Sequence, residues 1–392
     1  MDFKGKSTCG FPTILLPMTS LDEAIALAGA KAYVAFGSSL DADIRYLTRF
    51  RTTDPVLFIK KPGERGTLVI SQMEYERAAR ESVAVPMTRA QAGLTEILAE
   101  EKNRWRAYAR MIAGLAGGDV LVPPQFPAAL ARELEAFSRL FVDEDTVLKL
   151  RAVKSDDEIA AIARVQGATE AAMGGAISSI RSAKVRKGVL YRGRTPLTSE
   201  ILQREVAVTL LEKGCRAVDT IISCGEESAI PHVRGSGPLR EGASIILDIF
   251  PQDEETGYTA DMSRTVVKGE PPREIVDMFE AVRDAQALAA TLVRPGATGA
   301  DVHGKVVDFF KERGFESNTK GFIHNLGHGV GLEVHELPVL GPGGGELSAG
   351  NVITLEPGLY YPGKGGVRLE DMGVVTPGGF RDLTKMPRDL RV

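Results

Sequence analysis

All five histidines of the 392-residue chain fall between His232 and His335. Three of them lie in the segment His324-Asn-Leu-Gly-His328-Gly-Val-Gly-Leu-Glu-Val-His335-Glu336-Leu-Pro338. Asp248 and Asp261 precede that segment, and Glu356 and Glu370 follow it. Four carboxylates and one imidazole can coordinate two divalent cations, because four negative ligands balance two dications. Without a cation, clustered carboxylates repel one another and some bind protons instead. Hard oxygen donors with one nitrogen suit manganese, cobalt, iron or zinc better than a thiolate-preferring ion. Two such ions ~3.5–4 Å apart can activate water at neutral pH and polarise a carbonyl for attack.

These residues need rigid elements to hold them. Ser244-Ile-Ile-Leu-Asp248-Ile-Phe reads as a buried strand with Asp248 near its carboxyl end. After a turn through Gln252 to Thr256, Gly257-Tyr-Thr-Ala-Asp261 returns on a neighbouring strand. Asn351-Val-Ile-Thr-Leu-Glu356 repeats the apolar run ending in an acid, and Gly366-Val-Arg-Leu-Glu370 supplies a fourth strand-borne carboxylate. His324 and His328 have helical spacing, but Gly327, Gly329 and Gly331 oppose a helix there. Taken singly, a strand-end aspartate caps a turn and nothing more. His303 reads as a surface helix residue with no role. The set, in this order, carries the reading.

The order and spacing of these motifs resemble the pita-bread metallopeptidases, in particular the prolidase and aminopeptidase P branch. The resemblance covers residues 150–392, and residues 1–149 resemble the amino-terminal domain of that branch. It implies an α/β amino-terminal domain plus an α+β pita-bread (creatinase/aminopeptidase) catalytic domain with a pseudo-twofold internal repeat. It further implies that Asp248, Asp261, His328, Glu356 and Glu370 hold two divalent metal ions, manganese or cobalt before zinc or iron, with Asp261 and Glu370 bridging. Glu356 would also accept the proton of the nucleophilic water. His232 and His335 would serve catalysis beside the substrate, His324 would line the pocket, and Arg368 would orient ligands and substrate. The implied reaction is hydrolysis of the bond preceding proline in Xaa-Pro dipeptides, by a homodimer.

Two other readings stay open on the same scaffold. One is aminopeptidase P action on longer peptides, and the other is a metal-dependent hydrolase or lyase of a small non-peptide molecule. A non-catalytic binding protein would have little reason to keep both the ligand set and the accessory histidines. The chain departs from the family in one place. Asp248 and Asp261 differ by thirteen in number where eleven is usual, and Phe250 stands where a glycine is expected. The extra residues fit a longer turn around Asp253-Glu-Glu-Thr256.

The rest of the chain is consistent with that assignment. A hydrophobic content of 43% and a net charge of −4 describe a globular protein that binds neither nucleic acid nor a membrane surface in general. Cys9, Cys215 and Cys224 are not spaced as a thiolate metal site and read as reduced thiols, which points to the cytoplasm. The run Phe11-Pro-Thr-Ile-Leu-Leu-Pro-Met18 is broken by prolines and is not read as a signal peptide. Tyr33–Phe36, Pro55–Ile59 and Thr67–Ile70 are expected strands, the last two forming a hairpin across Pro62-Gly63. Helices are expected over Gln91–Arg110 and Pro127–Phe137. Ser155-Asp-Asp-Glu158 is a capping box that starts the next helix, just after a domain boundary near residue 150. Thr198 and Thr298 open similar helical runs at an offset of 100, which suggests two similar halves facing one another with a site between them. Lys184, Arg186, Lys187, Arg192 and Arg194 crowd a basic segment, Arg181–Arg194, that reads as a solvated loop or hairpin.

Overall fold

The computed structural model describes residues 20–392, so Cys9 and the apolar run Phe11–Met18 lie outside the described residues. The chain divides into two compact units between Leu150 and Arg151.

The first unit is built on strands β1 (Ala32–Gly37), β2 (Val56–Lys60), β3 (Thr67–Ile70), β4 (Val85–Thr88), β5 (Val120–Val122) and β6 (Leu140–Val142). They form one mixed sheet in the order β4-β3-β2-β1-β5-β6. Tyr33, Ala35 and Phe58 enter one apolar cluster, while Ala32, Val34 and Leu57 enter another. Side chains alternate across a strand, so a run apolar at every position must be covered on both faces. The expected β2–β3 hairpin is present, with Phe58 opposite Leu68. The single helix expected over Gln91–Arg110 is instead two, Leu94–Glu100 and Arg104–Ala116. Asn103 causes the break. Its side chain accepts from the Trp105 and Arg106 amides at 3.0 and 3.4 Å and starts a new helix. The helix expected over Pro127–Phe137 runs from Ala128 to Leu134.

In the second unit the capping box closes as its residues require. The Ser155 amide donates to Glu158 Oε2 at 2.8 Å, and the Glu158 amide donates to Ser155 Oγ at 3.4 Å. The helix that follows runs from Asp156 to Ser182. The basic segment then forms a hairpin of β7 (Lys184–Arg186) and β8 (Val189–Arg192), continued by β9 (Thr195–Pro196). Its two-residue turn, Lys187-Gly188, has positive φ at both positions, as the twist of a tight hairpin demands.

The offset of 100 corresponds to a structural recurrence. The helix Ser199–Glu212 is capped by Thr198 and the helix Gly299–Glu312 by Thr298, each hydroxyl accepting from the amide three residues on. After the first come β10 (Cys215–Arg216), β11 (Ile221–Cys224), β12 (Ile245–Ile249), β13 (Gln252–Asp253) and β14 (Met262–Val266), with β11-β12-β14 as one sheet. The second is followed by β15 (Gly327–Gly329), β16 (Glu336–Leu340), β17 (Val352–Leu355), β18 (Gly358–Tyr361), β19 (Gly365–Arg368), β20 (Asp371–Thr376) and β21 (Gly379–Asp382). There β15-β17-β20 repeats the order within a larger sheet. Two apolar cores back the strands, one under the helix Asp156–Ser182, which also takes in Val330, Val352, Met372 and Val374 of the second half, and one under the helix Arg273–Leu292.

The glycines around His328 permit strands to approach where a side chain could not fit. A Cβ on Gly327 would lie 2.1 Å from the Thr354 carbonyl oxygen, and one on Gly329 would lie 2.0 Å from that of Leu337. Both neighbours are backbone and cannot swing aside. Gly329→Ala should therefore destabilise the protein by about 3 kcal/mol, at the upper end of ordinary overpacking costs. Thermal denaturation reads this directly, and an unchanged melting temperature would contradict it.

Candidate metal centre

Asp248 sits on β12, opposite Ser263 of β14, and Asp261 immediately precedes β14. His328 is the central residue of β15. Glu356 follows β17, and Glu370 occupies the two-residue connection between β19 and β20 rather than a strand. Gln286 ties the last two together. Its amide donates to the Leu355 and Leu369 carbonyls at 2.9 and 3.1 Å, each one residue before an acid. The buried Arg264 guanidinium donates to the Glu370 carbonyl at 2.8 Å, fixing the same connection from the other side.

These elements bring the acids and His328 together. One ligand atom each from Asp261, His328 and Glu370 lie within 4.8 Å of one another, and all three residues are buried. His328 Nε2 is 3.3 Å from Glu356 Oε1 and 3.7 Å from Asp261 Oδ2. Asp248 Oδ2 accepts from Arg368 Nη2 at 2.6 Å. Arg368 Nε donates to Ser263 Oγ at 2.8 Å, and that hydroxyl donates to Glu370 Oε2 at 2.9 Å. One guanidinium thus orients two of the acids.

Burial pushes the Asp261 carboxyl well above the usual range, and repulsion from Glu370, Asp248 and Glu356 adds to it, against an opposing pull from Arg368. Glu370 is raised in the same way, by burial first and then by Glu356 and Asp248. Burial would also raise Glu356, but its hydrogen bond and charge interaction with His328, with help from His324 and Arg368, hold it down to about 2. The hydrogen bond to Glu356 likewise lifts the His328 imidazole despite its burial. Without a cation, then, the group stays folded by protonating some acids and pairing another with His328.

The donor set fits divalent metal ions. Asp248 Oδ1, Asp261 Oδ1 and Glu370 Oε1 are buried and have no hydrogen-bond partner. Buried polar atoms normally find one, and three orphaned carboxylate oxygens call for positive charge. His328 Nδ1 faces the Gly329 carbonyl at 3.1 Å. A carbonyl only accepts, so the proton sits on Nδ1, leaving Nε2 as the atom toward the acids from which a metal would displace a proton. Residues 160–377 match metallopeptidase family M24, and residues 18–153 match the creatinase/prolidase N-terminal domain.

The chain belongs to metallopeptidase family M24. It is 30% identical over 339 residues to an Xaa-Pro dipeptidase of Pyrococcus horikoshii, covering 85% of this chain and 88% of that one. It is 31% identical over 382 residues to an Xaa-Pro dipeptidase of Lactobacillus delbrueckii subsp. lactis, covering 92% and 94%. Its fold matches the solved Xaa-Pro dipeptidase of Bacillus anthracis with a TM-score of 0.81 at 24% identity, over 95% of this chain and 98% of that one. The fold is the pita-bread catalytic fold preceded by a creatinase-type amino-terminal domain. As an M24 metallopeptidase the chain depends on divalent metal ions.

The other histidines of this M24 chain lie as follows. The His335 ring stands edge-on to His328, with centroids 4.3 Å apart. His232 occupies an exposed turn, close enough to His324 and His335 to affect their protonation. His324 Nδ1 donates to the Asn325 carbonyl at 2.7 Å, so its Nε2 accepts from the Tyr360 hydroxyl at 3.0 Å. Tyr360 in turn accepts from Arg368 Nη1 at 2.8 Å. Burial pushes the Tyr360 hydroxyl up to about 12, so it keeps its proton. His303, expected on the helix surface, is half-buried instead. Its ring centroid lies 5.3 Å from that of Phe322, which also neighbours Phe310 at 5.3 Å and His324 at 5.4 Å. Apolar packing explains its position.

Sequence reasoning passed over Tyr360, Ser263 and Gln286. Tyr360 and Ser263 lie close in sequence to acids of the set, but neither has a type or spacing that signals chemistry by itself. Between Asp248 and Asp261, Asp253 Oδ1 accepts from the Thr256 amide at 2.6 Å and its hydroxyl at 2.7 Å, and Gly257 follows with φ of 80°. The longer interval is a self-capped turn, and it leaves both aspartates beside β14.

Proposed function

We propose that the chain hydrolyses the peptide bond preceding proline, releasing the amino-terminal residue from Xaa-Pro dipeptides. The observation that carries this reading is the convergence of buried, partly unpartnered acids on His328 with three further histidines arranged beside them. Asp248, Asp261, His328, Glu356 and Glu370 would hold two divalent ions, Asp261 and Glu370 serving both. Bound ions activate water and polarise the scissile carbonyl. Glu356 is the base that takes the proton of the attacking water, since its carboxylate is held ionised by His328 and is less enclosed than those of the raised acids Asp261 and Glu370. His335 and His232 face the substrate and donate to oxygen as charge develops there. Arg368 keeps Asp248 aimed, and the Arg368–Tyr360–His324 chain fixes the tautomer of His324.

Manganese or cobalt is the physiological metal in this proposal, and the enzyme is a cytoplasmic homodimer. The free thiols Cys215 and Cys224 support a reducing compartment. Among the described residues no helix is long and apolar enough to cross a membrane.

The purified protein, loaded with manganese or cobalt, should release proline from dipeptides such as Ala-Pro. Lack of release across a panel of Xaa-Pro dipeptides and longer Xaa-Pro peptides, with two metals confirmed bound, would sink the reading. Turnover of tripeptides but not of dipeptides would replace it with aminopeptidase P action.

A further inference from the structure

Immediately after His335 lies a buried ionic cluster that the hydrolytic chemistry does not use. Glu336 opens β16 with its side chain 2% exposed. Its Oε1 accepts from Arg151 Nη2 and from the Glu333 amide at 3.0 Å, and its Oε2 accepts from Lys154 Nζ at 3.0 Å. The Arg151 and Lys154 side chains are 3% and 1% exposed. Arg151 also reaches the exposed Glu333 at 2.6 Å. Burying three charges is unfavourable unless their geometry is fixed, and an apolar trio could fill the same volume more simply.

The geometry around the cluster suggests what it does. Arg151 to Lys154 is the stretch by which the chain enters the catalytic unit. It is fastened to the approach of β17, the strand that Glu356 follows. The Lys154 amide donates to the Gly350 carbonyl at 3.0 Å, and Asn351 Nδ2 donates to that of Ala152 at 2.9 Å. Residues 331–335, between β15 and β16, are fastened from the other side by the returning chain that carries Asp261. The Thr259 amide and hydroxyl both donate to the Gly331 carbonyl, at 2.7 and 3.0 Å, and Gln252 donates to that of Leu332 at 3.2 Å. A Cβ on Gly331 would fall 2.4 Å from Glu336 Oε2, so this glycine makes room for the acid. The His335 loop is held between these two anchors, with Glu336 at its closing end.

We infer that Arg151, Lys154 and Glu336 form a positioning device for His335. The two buried cations fix the carboxylate, the carboxylate fixes the start of β16, and the start of β16 sets the ring of His335 against His328. This rests on the proposed placement of His335 beside the substrate.

The test uses the full-length, metal-loaded protein with Ala-Pro, well below each variant's melting temperature, and bound metal is measured throughout. Glu336→Gln leaves two buried cations facing a neutral amide. It should lower kcat about 10–100-fold, the usual effect of removing a supporting residue. KM and metal content should change little, because the ligands are untouched. The double variant Glu336→Gln/His335→Ala should be no slower than His335→Ala alone, since a device that acts only through His335 has nothing further to lose. Wild-type turnover in Glu336→Gln, or losses that multiply in the double variant, would overturn the inference. If Glu336→Gln does not fold, Lys154→Gln, which leaves Arg151 on the carboxylate, is read by the same comparisons. An inert His335→Ala would instead remove the placement of His335 itself, and an inactive wild type would remove the proposed reaction.

Discussion

Asp261→Ala should lose metal and turnover together, and should do so without unfolding. Asp261 is 4% exposed, belongs to the closest ligand group, and has one oxygen with no partner. As a ligand proposed to serve both ions, it should on removal cost more than the roughly 10–100-fold loss typical of a supporting residue. Its effect on the metal-free fold has the opposite sign. A buried acid repelled by Glu370, Asp248 and Glu356 is a liability when no cation is bound. The metal-free variant should therefore melt no lower than the metal-free parent at pH 8. Elemental analysis, turnover and thermal melting together check the three expectations. Near-normal turnover would refute the bridging assignment, and a variant that fails to fold would show that Asp261 serves packing rather than charge.

The second large effect is on stability against pH in the metal-free protein. Asp261 and Glu370 titrate well above their ordinary values in the folded chain. An acid with a raised folded-state pKa binds its proton more tightly when folded, so its contribution is present at low pH and is lost as pH rises through the folded value. His328, also raised, contributes below the ordinary histidine value and loses that contribution as pH rises. Glu356, lowered to about 2, acts oppositely, but its contribution is complete above the ordinary glutamate range and is lost only on acidification toward 2. Between pH 5 and pH 8 the raised groups, Asp382 at about 6 among them, act against His303, His324 and His335, whose lowered values make stability grow until pH passes the ordinary histidine value; above it those histidines no longer contribute. Metal-free protein should lose up to about 1.4 kcal/mol per pH unit for each proton held by the folded state and not by the unfolded one. Bound divalent ions compete with those protons, so loading should flatten or reverse the slope. Melting curves at pH 5, 6, 7 and 8 with and without manganese separate the two cases, and a metal-free protein that grows more stable from pH 7 to pH 8 would contradict the assignment.

Much of the molecule is legible in one dimension because its signals are local. The capping box at Ser155 and Glu158 needs only a hydroxyl and a carboxylate three residues apart, and it forms as written. The threonine caps at 198 and 298 and the turn at Lys187-Gly188 are of the same kind. The helix expected over Gln91–Arg110 failed because a periodic apolar face continues across the break at Asn103, and only the cap at that residue reveals it. Apolar runs ending in acids place Asp248 near the end of β12 and Glu356 just after β17, since strand burial follows from residue type.

The sequence by itself determined which acids and imidazoles are available, the order in which they come, and the α/β units that carry them. Tertiary structure alone decided their pairing. Arg368 is 120 residues from Asp248 along the chain and 2.6 Å from it in space. Gln286 joins the backbones before Glu356 and Glu370, and Lys154 reaches Glu336 across 182 residues. Such contacts depend on how the two halves of the repeat pack, and no local spacing encodes that. The physical reason is the range of the forces involved: capping and strand periodicity act over a few residues, whereas the sharing of buried charge is settled only after distant strands have excluded water.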